Sequence, residues 1–260
     1  MKYDVFVSTN VGYAMKNNED NFAINTEIKP KGKNNLNLRG YGADEPMMCS
    51  VFDGMGGEAN GDVASHICAV VAVEFFKCIT NKNISAKKCI NQFVENCNSL
   101  IQKNLKNNKT RRGGSTFVMS YFYDNKVQLF SLGDSRIYLL RDNHLAQISN
   151  DHTLAMKKYL ANIYSWEEAE KSPDKHKLTQ FLGVDMDECL VKAEVYQDIK
   201  LNKGDKLLLC SDGLYDMCMD YEIEKIMIDS SDKITSDLVK KALENGGQDN
   251  ITCMVIEPSL

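Results

Sequence analysis

Acidic residues sit beside apolar runs in five separate turns of this chain. "NNEDNF" carries Glu19 and Asp20, "VFDGMGG" carries Asp53, "SLGDSR" carries Asp134, "CSDGLYD" carries Asp212 and "GGQDNIT" carries Asp249. Taken singly, each is equally an ordinary turn residue or a helix N-cap. Taken together, they are acids at strand ends that can converge on one edge of a sheet sandwich. Carboxylates held that close repel one another unless a cation lies among them. Their hard oxygens suit Mg²⁺ or Mn²⁺, and no His stands in these turns. Two such ions roughly 3.5–4 Å apart can share a water, lower its pKa and aim it at phosphorus.

That chemistry needs no protein nucleophile, and the usual signatures of one are missing. No Cys is followed six positions later by Arg, and neither G-x-S-x-G nor a P-loop GK[ST] occurs. "DMDEC" at 185–189 has two spaced acids but lacks the Thr of an aspartyl-phosphate motif. The glycines after Asp53 have their own meaning, because glycine lets another group approach the main chain closely.

The elements that must position these acids can be read from hydrophobic periodicity. Alternation or buried apolar runs predict strands at 3–9, 21–28, 47–52, 115–123, 126–132, 136–141, 144–148, 189–198, 205–211 and 251–257. Helical spacing predicts helices at 62–80, 85–105 with Ser85 as N-cap, 219–229 and 231–245. Residues 29–46 read as a loop, and 151–177 as a charged, mainly helical stretch holding the only Trp, Trp166. Strand groups mixed with helix pairs predict an α+β fold with two sheets covered by helices in one domain.

Bulk properties narrow the function. A net charge of −5 over 260 residues argues against a general nucleic-acid binder. "KPKGK" at 29–33 is too short to alter this and reads as a solvated loop. Nine cysteines without a CxxC pair suggest reduced thiols and a cytoplasmic protein. "MKYDVFVSTN" alternates like a strand rather than a signal sequence, and no run of 18 apolar residues predicts a membrane span.

In order, "NNED" (17–20), "VFDGMGGEANGD" (51–62), "GGST" (113–116), "GDSR" (133–136), "DHT" (151–153), "LTQFLG" (178–183), "CSDGLYD" (210–216) and "GGQDNIT" (246–252) span nearly the whole chain. The set resembles the metal-dependent protein Ser/Thr phosphatases of type 2C, the PPM family, in its bacterial branch. The resemblance implies a single catalytic domain over 1–260. Its fold would be a four-layer α-β-β-α sandwich of two mainly antiparallel sheets flanked by helix pairs, with a flap at about 153–177 that influences substrate choice. It implies two Mn²⁺ or Mg²⁺ ions bridged by Asp53, with the Gly54 carbonyl, Asp212 and Asp249 as further ligands. Glu19 and Asp20 would bind metal or orient its waters, Asp134 would serve a weaker third site, and Asn250 would support the set. The catalytic acids would be Asp53, Asp212 and Asp249.

Two departures matter. The family usually has Arg four positions before the Glu of "NED", gripping the substrate phosphate, and here that position is Met15. Lys16 is adjacent but would point elsewhere on an extended backbone, so Lys16 or Arg112 is the candidate phosphate cation. Met55 stands where the animal branch has a His proposed as general acid. His152, Arg136, Ser115 and Thr116 read as structural. The expected function is hydrolysis of phosphoserine and phosphothreonine on proteins, opposite a Ser/Thr kinase, by a monomer that binds neither nucleic acid nor membrane. The alternative is a phosphatase-like module that binds phosphoproteins with weak activity; intact Asp53, Asp212 and Asp249 weigh against it.

Overall fold

The computed structural model describes residues 1–56, 60–82, 84–110, 113–185, 190–230 and 232–259. It opens with β1 (Lys2–Asn10), β2 (Asn21–Ile24), β3 (Glu27–Ile28), β4 (Leu36–Asp44), β5 (Met47–Phe52) and β6 (Gly54–Met55). Two long helices follow, α1 (Asn60–Asn81) and α2 (Ala86–Asn107). Next come β7 (Gly114–Ser115), β8 (Phe117–Tyr123), β9 (Lys126–Leu132), β10 (Arg136–Arg141) and β11 (His144–Gln147). The segment after β11 folds as α3 (Leu154–Leu160), α4 (Trp166–Lys171) and a 3₁₀ turn (Pro173–His176). The chain closes with β12 (Glu194–Val195), β13 (Lys206–Cys210), α5 (Asp212–Tyr215), α6 (Asp220–Asp229), α7 (Ile234–Glu244) and β14 (Ile251–Pro258).

Twelve strands form two six-stranded sheets, β11-β10-β13-β14-β1-β4 and β12-β9-β8-β5-β2-β3, and β6 pairs with β7, with every neighbouring pair antiparallel. Side chains alternate between the faces of a strand, and the central strands use both. From β5, Met47, Cys49 and Val51 enter the core between the sheets, while Met48 and Phe52 face α1 and α2. From β13, Leu207 and Leu209 enter the same inter-sheet core, and Leu208 and Cys210 face the helices α5 to α7. Strands buried on both faces must be apolar throughout, which is why these segments read as solid hydrophobic runs. Three apolar cores between four layers give the expected α-β-β-α sandwich. By length and composition α1 is apolar enough to cross a bilayer, but half of that window is buried. Its apolarity is that of a helix packed on α2 and the sheet.

Three sequence expectations change. Residues 29–46 are not all loop, because β4 pairs with β1 over Lys2↔Asp44 to Thr9↔Leu36. β4 is a mostly exposed sheet edge interrupted by Gly40 and Gly42, so it has no hydrophobic alternation to read. The predicted strand at 21–28 is a hairpin that turns at Asn25, whose φ is 53°. The strand predicted at 189–198 shrinks to Glu194–Val195 on a sheet edge, and 186–189 lie outside the described residues. Ser85 does occupy the N-cap of α2, but its side chain makes no capping bond.

Phe93 of α2 packs edge-on to Phe117 of β8 at 5.1 Å and against Phe75 of α1 at 5.6 Å, tying both helices to the sheet. Phe93→Ala should destabilise the fold by about 3–5 kcal/mol, the usual range for emptying a core aromatic site. Urea unfolding should show a lower midpoint at unchanged slope.

Candidate functional site

Strand ends from both sheets open onto one cavity of about 620 Å³. Glu19 precedes β2, Asp53 lies between β5 and β6, and Gly54 opens β6. Asp134 sits in the β9–β10 turn, Asp212 starts α5 just past β13, and Asp249 leads into β14. All six line the cavity. Their sequence separation is large, and only the sandwich brings them together.

The glycines after Asp53 serve close approach. A Cβ on Gly54 would overlap the Gly61 carbonyl oxygen and lie 2.5 Å from the Glu19 carbonyl oxygen. A Cβ on Gly61 would collide with the Glu19 carboxylate, and one on Gly213 with the Asn250 carbonyl oxygen. Gly54 is not in the left-handed region, so space rather than φ requires it. Three backbones carrying acids thus meet with no side chain between them.

Hydrogen bonds fix the acidic turns. The Asn250 side chain accepts from the Glu19 amide at 2.6 Å and donates to the carbonyls of Val11 and Asn17 at 2.9 and 3.1 Å. Asn18 donates to Thr9 Oγ1 and to the Asn34 carbonyl. Ser65 of α1 donates to the Glu19 carbonyl at 2.5 Å. Asp20 does not line the cavity; it is buried behind it and accepts from Ser211 Oγ at 2.7 Å, holding the residue before Asp212. Residues 30–33 of "KPKGK" are exposed as expected, but Lys29 is not. It is 3% exposed, and its Nζ donates to the Asn18 carbonyl at 3.0 Å behind the same turn. Burial pushes its ammonium below the usual lysine range, while Asp20 and Asp62 act in the opposite direction. A buried ammonium needs such partners, and only the tertiary fold supplies them.

Every acid of the set is pushed upward in pKa. Burial and then Asp212, Asp20, Asp134 and Asp249 raise Asp53 well above the usual carboxylate range. Burial and then Asp134 and Asp249 do the same to Asp212. Asp134 is pushed up to about 7 by burial and then Asp151, and Asp20 to about 6 by burial. Glu19 and Asp249 move the same way, burial leading in both. Asp53, Asp212 and Asp249 are only half-buried at the surface, because they stand at the floor of a concavity that water reaches. Such mutual repulsion is what a bound cation relieves. Among the described residues no three His, Cys, Asp or Glu side chains close on one point to cage an ion. The donors that line the cavity are carboxylates and the Gly54 backbone, hard oxygens of the kind that suit Mg²⁺ or Mn²⁺.

Lys16 lines the cavity beside Met15, against the expectation that it points away. The segment from Val11 to Asp20 is turn rather than extended strand, so neighbouring side chains need not face opposite ways. Arg112 lies outside the described residues. His152 is structural: its Nδ1 accepts from the Gly133 amide at 3.0 Å and its Nε2 meets Glu194 at 3.3 Å. Arg136 clamps Asp151 through Nε and Nη2 and lies over the Tyr215 ring, whose hydroxyl donates to the Asp134 carbonyl at 3.0 Å. Thr116 is hydrogen-bonded to Ser135 at 2.6 Å. His176 also lines the cavity, and sequence reading missed it. It lies in a charged stretch with no pattern of its own, and it reaches the cleft only because the 3₁₀ turn folds back.

In fold the chain matches the solved serine/threonine phosphatase PstP/Ppp of Mycobacterium tuberculosis with a TM-score of 0.81, 26% identity and full coverage of both chains. It also matches the catalytic domain of PstP solved with two manganese ions, at a TM-score of 0.75 and 25% identity over 98% of each chain. In sequence it is 32% identical to the serine/threonine phosphatase Stp of Listeria welshimeri over 225 residues, 84% of this chain and 86% of that one. Residues 41–253 fit the family described as protein phosphatase 2C. The chain belongs to the protein phosphatase 2C family.

Asn250→Ala should leave the Glu19 amide and the Val11 and Asn17 carbonyls without side-chain partners, at about 1–3 kcal/mol for each group that stays buried and unpaired. Chemical denaturation should show the loss of stability. Calorimetric titration should show weaker Mn²⁺ binding, since Glu19 loses its anchor.

Proposed function

We propose that this chain is a metal-dependent serine/threonine protein phosphatase that hydrolyses phosphoserine and phosphothreonine on proteins. One observation carries the proposal: five carboxylates and the Gly54 backbone, from distant parts of the sequence, line a single cavity in a chain of the protein phosphatase 2C family. Asp53, Asp212, Asp249 and the Gly54 carbonyl would hold two Mn²⁺ or Mg²⁺ ions, with Glu19 beside them and Asp134 at a third, weaker site. When bound, such ions act as Lewis acids that lower the pKa of water and offset phosphoryl charge.

The chain's own residues do the rest. Asp53 stands between β5 and β6, on a backbone that glycine contacts hold still. Arg136, Tyr215 and the Thr116–Ser135 pair fix the turn that carries Asp134. Asp20 holds Ser211 and so the start of α5 at Asp212. Lys16, on the cavity wall, supplies a point charge for the substrate phosphate, but not the bidentate fork of an arginine. Met15 leaves the wall beside it apolar. This combination favours protein substrates, whose contacts outside the phosphate offset the weaker grip. The phosphate donor for such substrates is a Ser/Thr kinase. We further place the protein in the cytoplasm as a monomer; the described cysteines stand free and mostly buried, which supports a reducing compartment.

The direct test is Mn²⁺-dependent release of phosphate from phosphothreonine peptides. Asp53→Ala should abolish turnover, and Asp212→Asn or Asp249→Asn should cut it by orders of magnitude together with Mn²⁺ affinity. Full activity in EDTA, or a trapped phosphocysteine, would falsify this reading. Binding of phosphopeptides without turnover would instead support the binding-module alternative.

Met15→Arg should restore a charge-assisted fork to the phosphate. Steady-state kinetics on a small aryl phosphate at saturating Mn²⁺ should show KM lower by about ten- to a hundred-fold with kcat little changed. An unchanged KM would mean that Lys16 already meets the need.

A further inference from the structure

A second groove, of about 310 Å³, runs beside the catalytic cavity between the flap and α5–α6, and His176 lies in the wall of both. Met156, Trp166 and Ala169 line it from the flap side, and Tyr215 and Met219 from the other. Two of these residues are placed where the fold does not use them. Trp166, the chain's only tryptophan, is 44% exposed although tryptophan is usually well covered. Met219 is 67% exposed and occupies the N-cap of α6, where its side chain makes no capping bond. Ser, Thr, Asp or Asn would serve that helix end better. Methionine at an exposed groove is instead an adaptable apolar contact.

The groove has a stiff frame. Arg136 and Asp151 are paired at 2.7 Å across its floor, and Lys175 binds Asp216 at 3.0 Å, fastening the flap to the end of α5. Trp166 is braced edge-on by Tyr159 at 5.4 Å. Those ion pairs satisfy most of the charge in the groove, and the two remaining rim charges, Glu170 and Lys171, are opposite in sign. Net charge therefore selects nothing here, and the apolar walls decide what fits.

We propose that this groove receives an apolar side chain of the substrate protein, a few residues from the phosphorylated Ser or Thr, while the phosphate sits in the catalytic cavity. The inference rests on the phosphatase reading of that cavity. The occupant follows from continuity. A polypeptide whose phosphate is in the cavity must leave over its lip, and the lip at His176 leads into this groove. An extended chain advances about 3.3–3.6 Å per residue, so a neighbouring side chain is delivered within a few residues. Covering an aliphatic side chain of leucine size is worth about ten- to a hundred-fold in affinity. That contact is the same in ground and transition states, so it enters KM rather than kcat. A small aryl phosphate does not extend to the groove.

The experiment uses the Mn²⁺-loaded protein and phosphothreonine peptides that differ only by Leu or Asp at each site within about four residues of the phosphothreonine. p-Nitrophenyl phosphate is the control. The variants are Met219→Asp, which supplies α6 with a proper N-cap while placing a charge in the groove, and Trp166→Ala. The wild type should prefer Leu over Asp at one or more sites by about ten-fold or more in kcat/KM, through KM. Met219→Asp should bring that ratio near one and Trp166→Ala should reduce it several-fold, with p-nitrophenyl phosphate kinetics unchanged in both. Equal use of Leu and Asp peptides by the wild type, or a preference undiminished in both variants, overturns the groove. Failure to hydrolyse p-nitrophenyl phosphate as well as every peptide overturns the phosphatase reading, and the groove with it.

Discussion

Mutual repulsion among the acids of the cavity is the constraint on which the rest of the structure turns. Two unit charges about 4 Å apart cost roughly 4 kcal/mol at an effective dielectric of 20, and here Asp53 alone feels four neighbouring carboxylates. A loop could relax that cost by moving. These acids cannot, because each sits within a few residues of a strand, and those strands are packed in an antiparallel sandwich with apolar cores on both sides of each sheet. The stiffness of the layers is what keeps the charges together.

The same demand reaches the backbone. Gly54, Gly61 and Gly213 allow main chains to pass at distances that no side chain permits. Asn250 ties three segments with one amide group. Behind the cavity, buried Lys29 places a positive charge near Asp20 and Asp62, on the side of the acidic turn away from the substrate. The acids in front face the cavity, while the acid behind has its own hydrogen bonds and counter-charge.

Around this centre the proposed phosphate contact differs from the arginine fork that the family resemblance implies. Met15 and Met55 make two stretches of the cavity wall apolar, while Lys16 and His176 are the described basic side chains that line it. A site with a modest grip on phosphate depends more on contacts outside it. Within the flap Asp174 is bound by Lys158 and Lys177, and the Lys175–Asp216 pair joins the flap to the end of α5 beside the cleft. Under the proposed function, recognition would rest on the protein around the phosphoresidue rather than on the phosphate alone.

The amino-acid order by itself determined the central strands, the long helices and the acids at their ends. Burial on two faces forces unbroken apolar runs, and an acid in a glycine turn leaves a signature a few residues long. It did not show β4, because an exposed edge strand has no face to bury and hence no alternation. It did not show that Lys29 is buried, since a lysine in a basic run looks solvated until Asn18, Asp20 and Asp62 close around it. His176 and the groove at Trp166 and Met219 were equally hidden, because each depends on which segments meet. Local patterning records what a residue buries within its own element. Which distant charges and surfaces face each other is decided only when the sheets stack.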